Sequence, residues 1–352
     1  GNGVDPLEIV EKYGADALRF TLITGNSPGN DTRWHTEKVE ANLHFANKIW
    51  NASRFVLMNV DKDVLKKEDI ANENLTSSDK WIISRANTMV KDITENLDKY
   101  ELGLAASKLY DFIWSEYCDW YIELVKPRLY GEEENTKIAA QVTLTKVLKK
   151  VLKLLHPFMP FITEEIFTHL PGEEESIVIS PWPKFNEDLI FKDEEEEIQL
   201  IMELIRGIRN ARAEMNVVPS RKAKAIFIVR NKNIEKVIGK SEVYFQKLAS
   251  VSEIVVNSQK IDIPDNALSI VAEGVEVFIP LEDLIDKEKE IERLEKEKEV
   301  LEMELKRVNG KLSNKGFIQK APTKIVEEEK EKKIKYEEMM KKVLERLEFY
   351  KK

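Results

Sequence analysis

The stretch from Val39 to Val60, VEANLHFANKIWNASRFVLMNV, carries apolar or small residues at Val39, Leu43, Ala46, Trp50, Ser53, Leu57 and Val60. Alternating steps of four and three lay these side chains along one stripe of a helix. At roughly 100° per residue, His44, Lys48, Asn51 and Phe55 form a second row nearly opposite. A polar, basic row ending in an aromatic ring suits a nucleobase drawn out of its stack. The same spacing also fits a Phe55 packed against a neighbouring helix.

Helical periodicity extends from Glu37 to about Asn186. Ser78 or Asp79 is positioned to cap a helix carrying Trp81, Ile82, Met89, Val90, Ile93, Leu97 and Tyr100. Gly103 marks a break. Leu104 to Lys126 follows, with a seam of Leu109, Ile113, Tyr117, Trp120 and Leu124, and Pro127 limits it. Thr136 to Leu155 is a further amphipathic helix ended by His156-Pro157, and Phe158 to Leu170 is a last apolar turn or short helix. Several long helices with short joints read as a bundle. Ahead of it, Asp5-Pro6 is an N-cap followed by Pro at the first helical position, and Gly14 stops that helix. Asp16 to Thr24 is a second short helix or a strand.

Beyond the acidic run Asp193 to Glu197, a helix to about Met215 presents Arg206, Arg209 and Arg212 at three-residue spacing. They suit phosphates or simply a solvated face. Ala223 to Val229 is a β-rich run, Ile234 to Leu248 is helical, Glu253 to Val256 is extended, and Leu268 to Ile279 reads as a hairpin turning at Glu273-Gly274. From Leu281 a heptad register holds Leu284, Ile291, Leu294, Leu301, Leu305, Val308 and Leu312. After Asn309 to Pro322, a second seam holds Val326, Tyr336, Met340, Val343, Leu347 and Tyr350. Two seams joined by a glycine-containing turn imply an antiparallel two-helix coiled coil. The expected fold class is mainly α. Its segments are 1–34 leading in, a helical bundle at 35–190, a small α/β unit at 191–280 and a coiled-coil arm at 281–352.

The chain has 352 residues, enough for two to four units. A net charge of −9 supplies no global attraction for nucleic acid, so any RNA contact must use a local basic patch. The single cysteine, Cys118, excludes a disulfide framework and a Cys-based zinc site within the chain, as suits a reducing, cytoplasmic compartment. Its large apolar neighbours mark it as a buried thiol rather than a nucleophile. No apolar run reaches membrane-spanning length. His35, His44, His156 and His169 lack the spacing of a metal pair, and no acid, base and nucleophile cluster. A binding role is therefore expected rather than catalysis: either an RNA-binding module, or a scaffold dimerising through its arm with no RNA role.

Several stretches resemble one family. Gly1-Asn2-Gly3-Val4-Asp5-Pro6 with Tyr13-Gly14-Ala15-Asp16-Ala17-Leu18-Arg19-Phe20 is similar to the segment just after the KMSKS loop of class I aminoacyl-tRNA synthetases. Asn47 to Val56, Trp114 to Tyr121 and Leu155 to Phe161 resemble landmarks of the anticodon-binding bundle in the valine, isoleucine and leucine group. Ile208 to Val217, and a coiled coil whose second helix starts at Lys320-Ala321-Pro322, are similar to the valyl-tRNA synthetases. The resemblance implies the C-terminal part of such an enzyme, with valine tRNA as partner and the N-terminal catalytic part missing. It implies ATP and magnesium in the full enzyme, no cofactor and no metal here, no activity of this piece alone, and a monomer. It places Arg54 and Phe55 against unstacked anticodon bases, with Ile122 closing the apolar side, and at roughly 100° per residue Ile122 falls about opposite Ile113 on its own helix. Lys48, Arg54 and Lys126 would meet phosphates or base edges, and Asn51 is a further anticodon-binding candidate. Arg307, Lys311 and Lys315 are the candidates for the tRNA elbow, and the lysines near that bend also fit solubility alone. Val4 to about Trp34 would be the stem-contact segment.

Overall fold

Asp5 accepts the Leu7 N–H at 2.8 Å and Pro6 opens helix α1, Pro6–Tyr13. Gly14, at φ +86°, ends it and lets α2, Ala15–Ile23, begin at once. The second segment is thus a helix, the first of its two readings. The computed structural model describes residues 3–24, 34–61, 74–172, 175–261, 263–264, 266–284, 287–314, 316 and 322–351. The Gly25 to Asn30 loop, most of the connection after Asp61, and Lys315 and Lys320 near the arm's bend lie outside the described residues.

The chain divides into two compact units, Gly1–Ile205 with Lys236–Leu248, and Arg206–Glu235 with Ala249–Lys352. In the first, α3 spans Thr36–Asn59 and α4 spans Ser77–Asp98. Thr76, not Ser78 or Asp79, is the N-cap of α4. The Asp79 carboxylate reaches back to accept the Thr76 N–H at 2.9 Å, as in a capping box. No break occurs at Gly103, because Tyr100 turns the chain in the left-handed region at φ +58°. One continuous rod then runs through α5, Leu102–Asp111, a π-helical segment, Phe112–Tyr121, and α6, Ile122–Leu129. Pro127 sits inside α6 rather than ending it, and the helix stops within two residues. Two more helices, α7 Glu134–Leu155 and α8 Pro160–His169, complete the bundle.

The buried face of α3 differs from the stripe read off its sequence. Val39, Asn42, Phe45, Ala46, Ile49, Ala52, Ser53 and Val56 are buried, whereas Trp50 is 40% exposed. The face is turned by about 60°. Asn42 explains part of it. A polar residue at a core position hides the stripe, yet its Nδ2 donates to Thr21 Oγ1 at 2.8 Å. Phe45 explains the rest, packing its ring 5.2 Å from Phe20 and 4.6 Å from Tyr110.

Helix α9, Lys192–Glu214, leads towards a four-stranded sheet of order β2-β1-β4-β3. Strands β1, Ala223–Val229, and β2, Val251–Asn257, are parallel, and the chain between them forms α10, Lys232–Lys240, and α11, Glu242–Leu248. Strands β3, Ala267–Ala272, and β4, Val275–Pro280, make an antiparallel hairpin whose Gly274 sits at φ +73°. Phe227 pairs with Val277 across β1 and β4. Ile226, Ile228 and Phe278 fill one face of the sheet.

After α12, Leu281–Leu284, come α13, Lys287–Ser313, and α14, Thr323–Lys351, packed on each other. Leu294 and Leu301 of one meet Val343 and Leu347 of the other, with Ile291, Tyr336 and Met340 flanking. The apolar seams therefore close within the chain, and the two helices run antiparallel. One charge lies inside this seam. Glu329 is only 5% exposed, and its Oε1 accepts from Lys311 and Lys332, each at 3.1 Å. Both lysines hold its carboxyl below the usual glutamate range. A depressed folded-state pKa means stability that is present above the unfolded value and lost as pH falls through the folded one. The helicity of the chain, followed by circular dichroism from pH 5 to pH 3, should fall less steeply for Glu329→Gln than for the parent.

Candidate nucleic-acid interface

The rod of α5, the π segment and α6 lies beside α3. Bidentate bonds from Arg85 on α4 to Glu116, both 2.8 Å, anchor the π segment. Lys48 of α3 meets Asp119 Oδ1 at 2.5 Å and lies 4.7 Å from the centre of the Trp114 ring. Trp114 is half-buried and stacks on Tyr110 with ring centres 5.5 Å apart and planes 14° from parallel. Seven residues further along α3, Phe55 is also half-buried, with Lys126 Nζ 5.7 Å from its ring centre. Lys126 in turn bonds Glu123 Oε1 at 2.5 Å. Asn51 and Arg54 point outward and are exposed. The structure thus brings Lys48, Phe55 and Lys126 onto one groove between α3 and the rod.

Ile122 is not among the residues presented there. It is 6% exposed and Ile113, expected on the opposite side of its helix, is 1% exposed. The rod is buried on most sides, and its π turns, with i→i+5 bonding, advance the chain by less than 100° per residue. The angular argument for Ile122 therefore fails at this segment. Trp114, Asp119 and Glu123, by contrast, line the groove although periodicity assigned them no such role. Trp114 stands three residues before Tyr117, on the flank of the predicted seam, and that offset was the available signal.

Cys118 is buried, and burial pushes its thiol up to about 12, against a lowering influence from Lys48. It is a packing residue, as its sequence neighbours implied. Arg212 is also internal. It is 7% exposed and donates to the Arg221 carbonyl at 2.5 Å, so it offers no charge to a phosphate. Arg206 and Arg209 are exposed. On the arm, Arg307 pairs with Glu304 of its own helix at 2.6 Å. Lys311 is engaged with Glu329 across the hairpin, and Lys315 is outside the described residues. Among the described residues no group of three His, Cys, Asp or Glu could hold a metal ion, and no helix is long and apolar enough to cross a membrane.

The contacts around these rings are individually weak. Lys48 and Asp119 keep 31% and 46% of their side-chain surface exposed, and such an ion pair is worth about 0–1 kcal/mol. An exposed cation over a ring adds about 0.5–1 kcal/mol. Stacking a base on an aromatic side chain is worth about 1–3 kcal/mol. The two resident contacts together, about 0.5–2 kcal/mol, overlap that range.

A family model described as the anticodon-binding domain of tRNA ligase matches residues 79–227, and one described as the valyl tRNA synthetase tRNA binding arm matches residues 286–349. The valine–tRNA ligase of Clostridium acetobutylicum is 53% identical over 348 residues, 99% of this chain and 39% of that protein. The chain belongs to the valyl-tRNA synthetase family. It matches the C-terminal part of the enzyme. The valine–tRNA ligase of Clostridium perfringens is also 53% identical, over 99% of this chain and 39% of its own length. That of Geobacillus stearothermophilus is 44% identical over 347 residues, with the same two coverages of 99% and 39%. The chain thus spans about two fifths of the length of these valyl-tRNA synthetases. A solved LeuRS from Agrobacterium radiobacter K84, in a ternary complex with tRNA and LeuAMS, overlaps at a TM-score of 0.40 and 15% identity, covering 72% of this chain and 29% of that one.

Proposed function

We propose that the chain is the tRNA-binding region of a valine–tRNA ligase and holds the anticodon loop of valine tRNA in the groove between α3 and the rod. The observation that carries this is the half-buried Phe55 ring beneath Lys126, with Arg54 exposed beside it, in a family whose matching model is an anticodon-binding domain. Phe55 supplies the stacking surface, Lys48 and Lys126 supply donors to base edges or phosphates, and Asn51 and Arg54 reach the backbone of the loop. The arm is directed to the tRNA elbow, where Arg307, Lys311 and Lys315 are the candidate contacts. The family model for a tRNA binding arm supports that part.

ATP and magnesium belong, in this reading, to the part of the enzyme beyond the matched region, which is the chain's covalent partner. The protein acts as a monomer in the cytoplasm. In support of the monomer, the apolar faces of α13 and α14 are occupied by each other.

The test is an equilibrium titration of the chain against a valine tRNA transcript and one with altered central anticodon bases, at moderate salt. The native transcript should bind more tightly. Equal affinity for the two would remove the anticodon from the function.

A further inference from the structure

Helix α7 carries one sign of charge along most of its length. From Thr136 to Leu155 it holds Lys137, Lys146, Lys149, Lys150 and Lys153 and no aspartate or glutamate, in a chain with 64 acidic residues among 352. Between Thr143 and Leu155 every residue is buried except Lys146, Lys149, Lys150 and Lys153. The last turns of the helix therefore present lysine alone. Lys149 and Lys153 are gathered by the Phe167 ring of α8, with their Nζ atoms 5.9 and 5.6 Å from its centre. A side chain at position 172 would run into the Lys149 ammonium, and Gly172 leaves it room. Burial draws the Lys150 ammonium below the usual lysine range, and among the described residues no carboxylate offsets this. We propose that this strip of α7 is a sequence-independent contact for the phosphate backbone of RNA. None of its residues belongs to α3 or to the rod, which form the groove.

A strip serving solubility alone would mix its charges. The exposed side of α13 does so, pairing Lys296 with Glu292, Arg293 with Glu297 and Lys298 with Glu302, each one turn apart. Like charges three or four residues apart repel each other instead. Lys146, Lys149, Lys150 and Lys153 stand at those separations, so the pattern costs α7 stability. A polyanion laid along the strip relieves the repulsion.

Spacing selects the polyanion. Lys146 to Lys153 covers about 10 Å of helix axis. Phosphates along one strand of a duplex follow one another at about 3.4 Å of rise, so the strip spans about three or four of them. An extended acidic peptide turns a carboxylate to one face only every ~7 Å and would meet about two lysines. Base reading has no surface here, because Phe167 is 3% exposed and has no open face on which to stack. Lysine contacts to phosphate fix position and carry no sequence information.

The experiment titrates the whole chain against a fluorescent RNA duplex that has no anticodon loop, followed by anisotropy between about 50 and 200 mM salt. Each phosphate contact adds about 0.9 to the slope of log affinity against log salt, so three or four contacts should weaken the duplex about 40- to 150-fold over that range. Replacing all four lysines by glutamine should lower the affinity at low salt by at least about tenfold and remove most of the slope. Replacing them by arginine should keep both. Lys146→Gln combined with Lys150→Gln leaves the two Phe167 contacts in place and should remove about half of the slope. That pair carries the test if the fourfold glutamine variant does not fold, as judged by circular dichroism. A parent chain that does not bind the duplex at the low end of the range overturns the proposal, and so do glutamine variants that keep the parent's affinity and slope. A poly-glutamate peptide that displaces the duplex from the strip at the lower concentration overturns RNA as its occupant and assigns the strip to an acidic protein segment. The groove reading is tested by the transcript titration and stands or falls separately.

Discussion

Asp79→Ala is expected to remove about 3–5 kcal/mol from the stability of the first unit, the cost of leaving a buried partner charge uncompensated. The Asp79 side chain is wholly buried. Its Oδ1 accepts from Arg128 Nη2 at 2.6 Å and from the Tyr121 hydroxyl at 2.7 Å. Its Oδ2 accepts from Arg128 Nη1 at 2.7 Å and from the Thr76 N–H at 2.9 Å. Burial pulls the Arg128 guanidinium pKa down, but the charge of Asp79 and its hydrogen bonds outweigh this and the net shift is upward. The variant would strand that cation, unpair the Tyr121 hydroxyl and open the N-terminus of α4 together. All six tryptophans precede residue 205, so their fluorescence in urea reports the first unit alone. A midpoint displaced by less than about 1 kcal/mol, far below the penalty for a broken buried pair, would show that water or a rearrangement compensates the pair. Asp79→Leu combined with Arg128→Met should lose much less than Asp79→Ala, because it removes both charges while keeping volume.

The sequence was legible where one physical signal dominated. Ala223 to Val229 is buried on both faces of a central strand, so its continuous apolar run marked it directly. The hairpin turn at Gly274 and the paired seams of α13 and α14 followed from a required backbone conformation and from heptad spacing. What escaped was polar residues doing apolar work. Asn42 in the core of α3 misplaced its buried face, and Arg212, which is buried, was read as facing phosphates or solvent. The π segment escaped because periodicity assumes a constant turn. One widened stretch was enough to misjudge Ile122 and to conceal Trp114 beside Lys48. For the groove, then, the row of Lys48, Asn51 and Phe55 was readable on its own helix. The side of the groove contributed by the rod needed the fold.

Phe55→Ala is expected to weaken binding of valine tRNA by about 1–3 kcal/mol, the worth of one aromatic stacking surface, with a smaller stability cost than truncating a fully buried ring because Phe55 is only half-buried. The salt dependence separates this role from a purely electrostatic one. Each phosphate contact from a lysine or arginine adds to the slope of log affinity against log salt. Stacking adds nothing to it. Phe55→Ala should therefore shift the whole salt titration downward in parallel, whereas Arg54→Ala should flatten it. Lys48 and Lys126 are predicted to contribute less slope than their charge suggests, because Asp119 and Glu123 already neutralise them in the free protein. A Phe55→Ala loss that vanishes at high salt would mean that the ring acts only by positioning Lys126. A loss that persists while the affinity for a transcript with altered anticodon bases is untouched would place a base on the ring. The nucleic-acid role of the groove then depends on a surface that salt does not screen, which is what an acidic chain needs in order to hold an RNA.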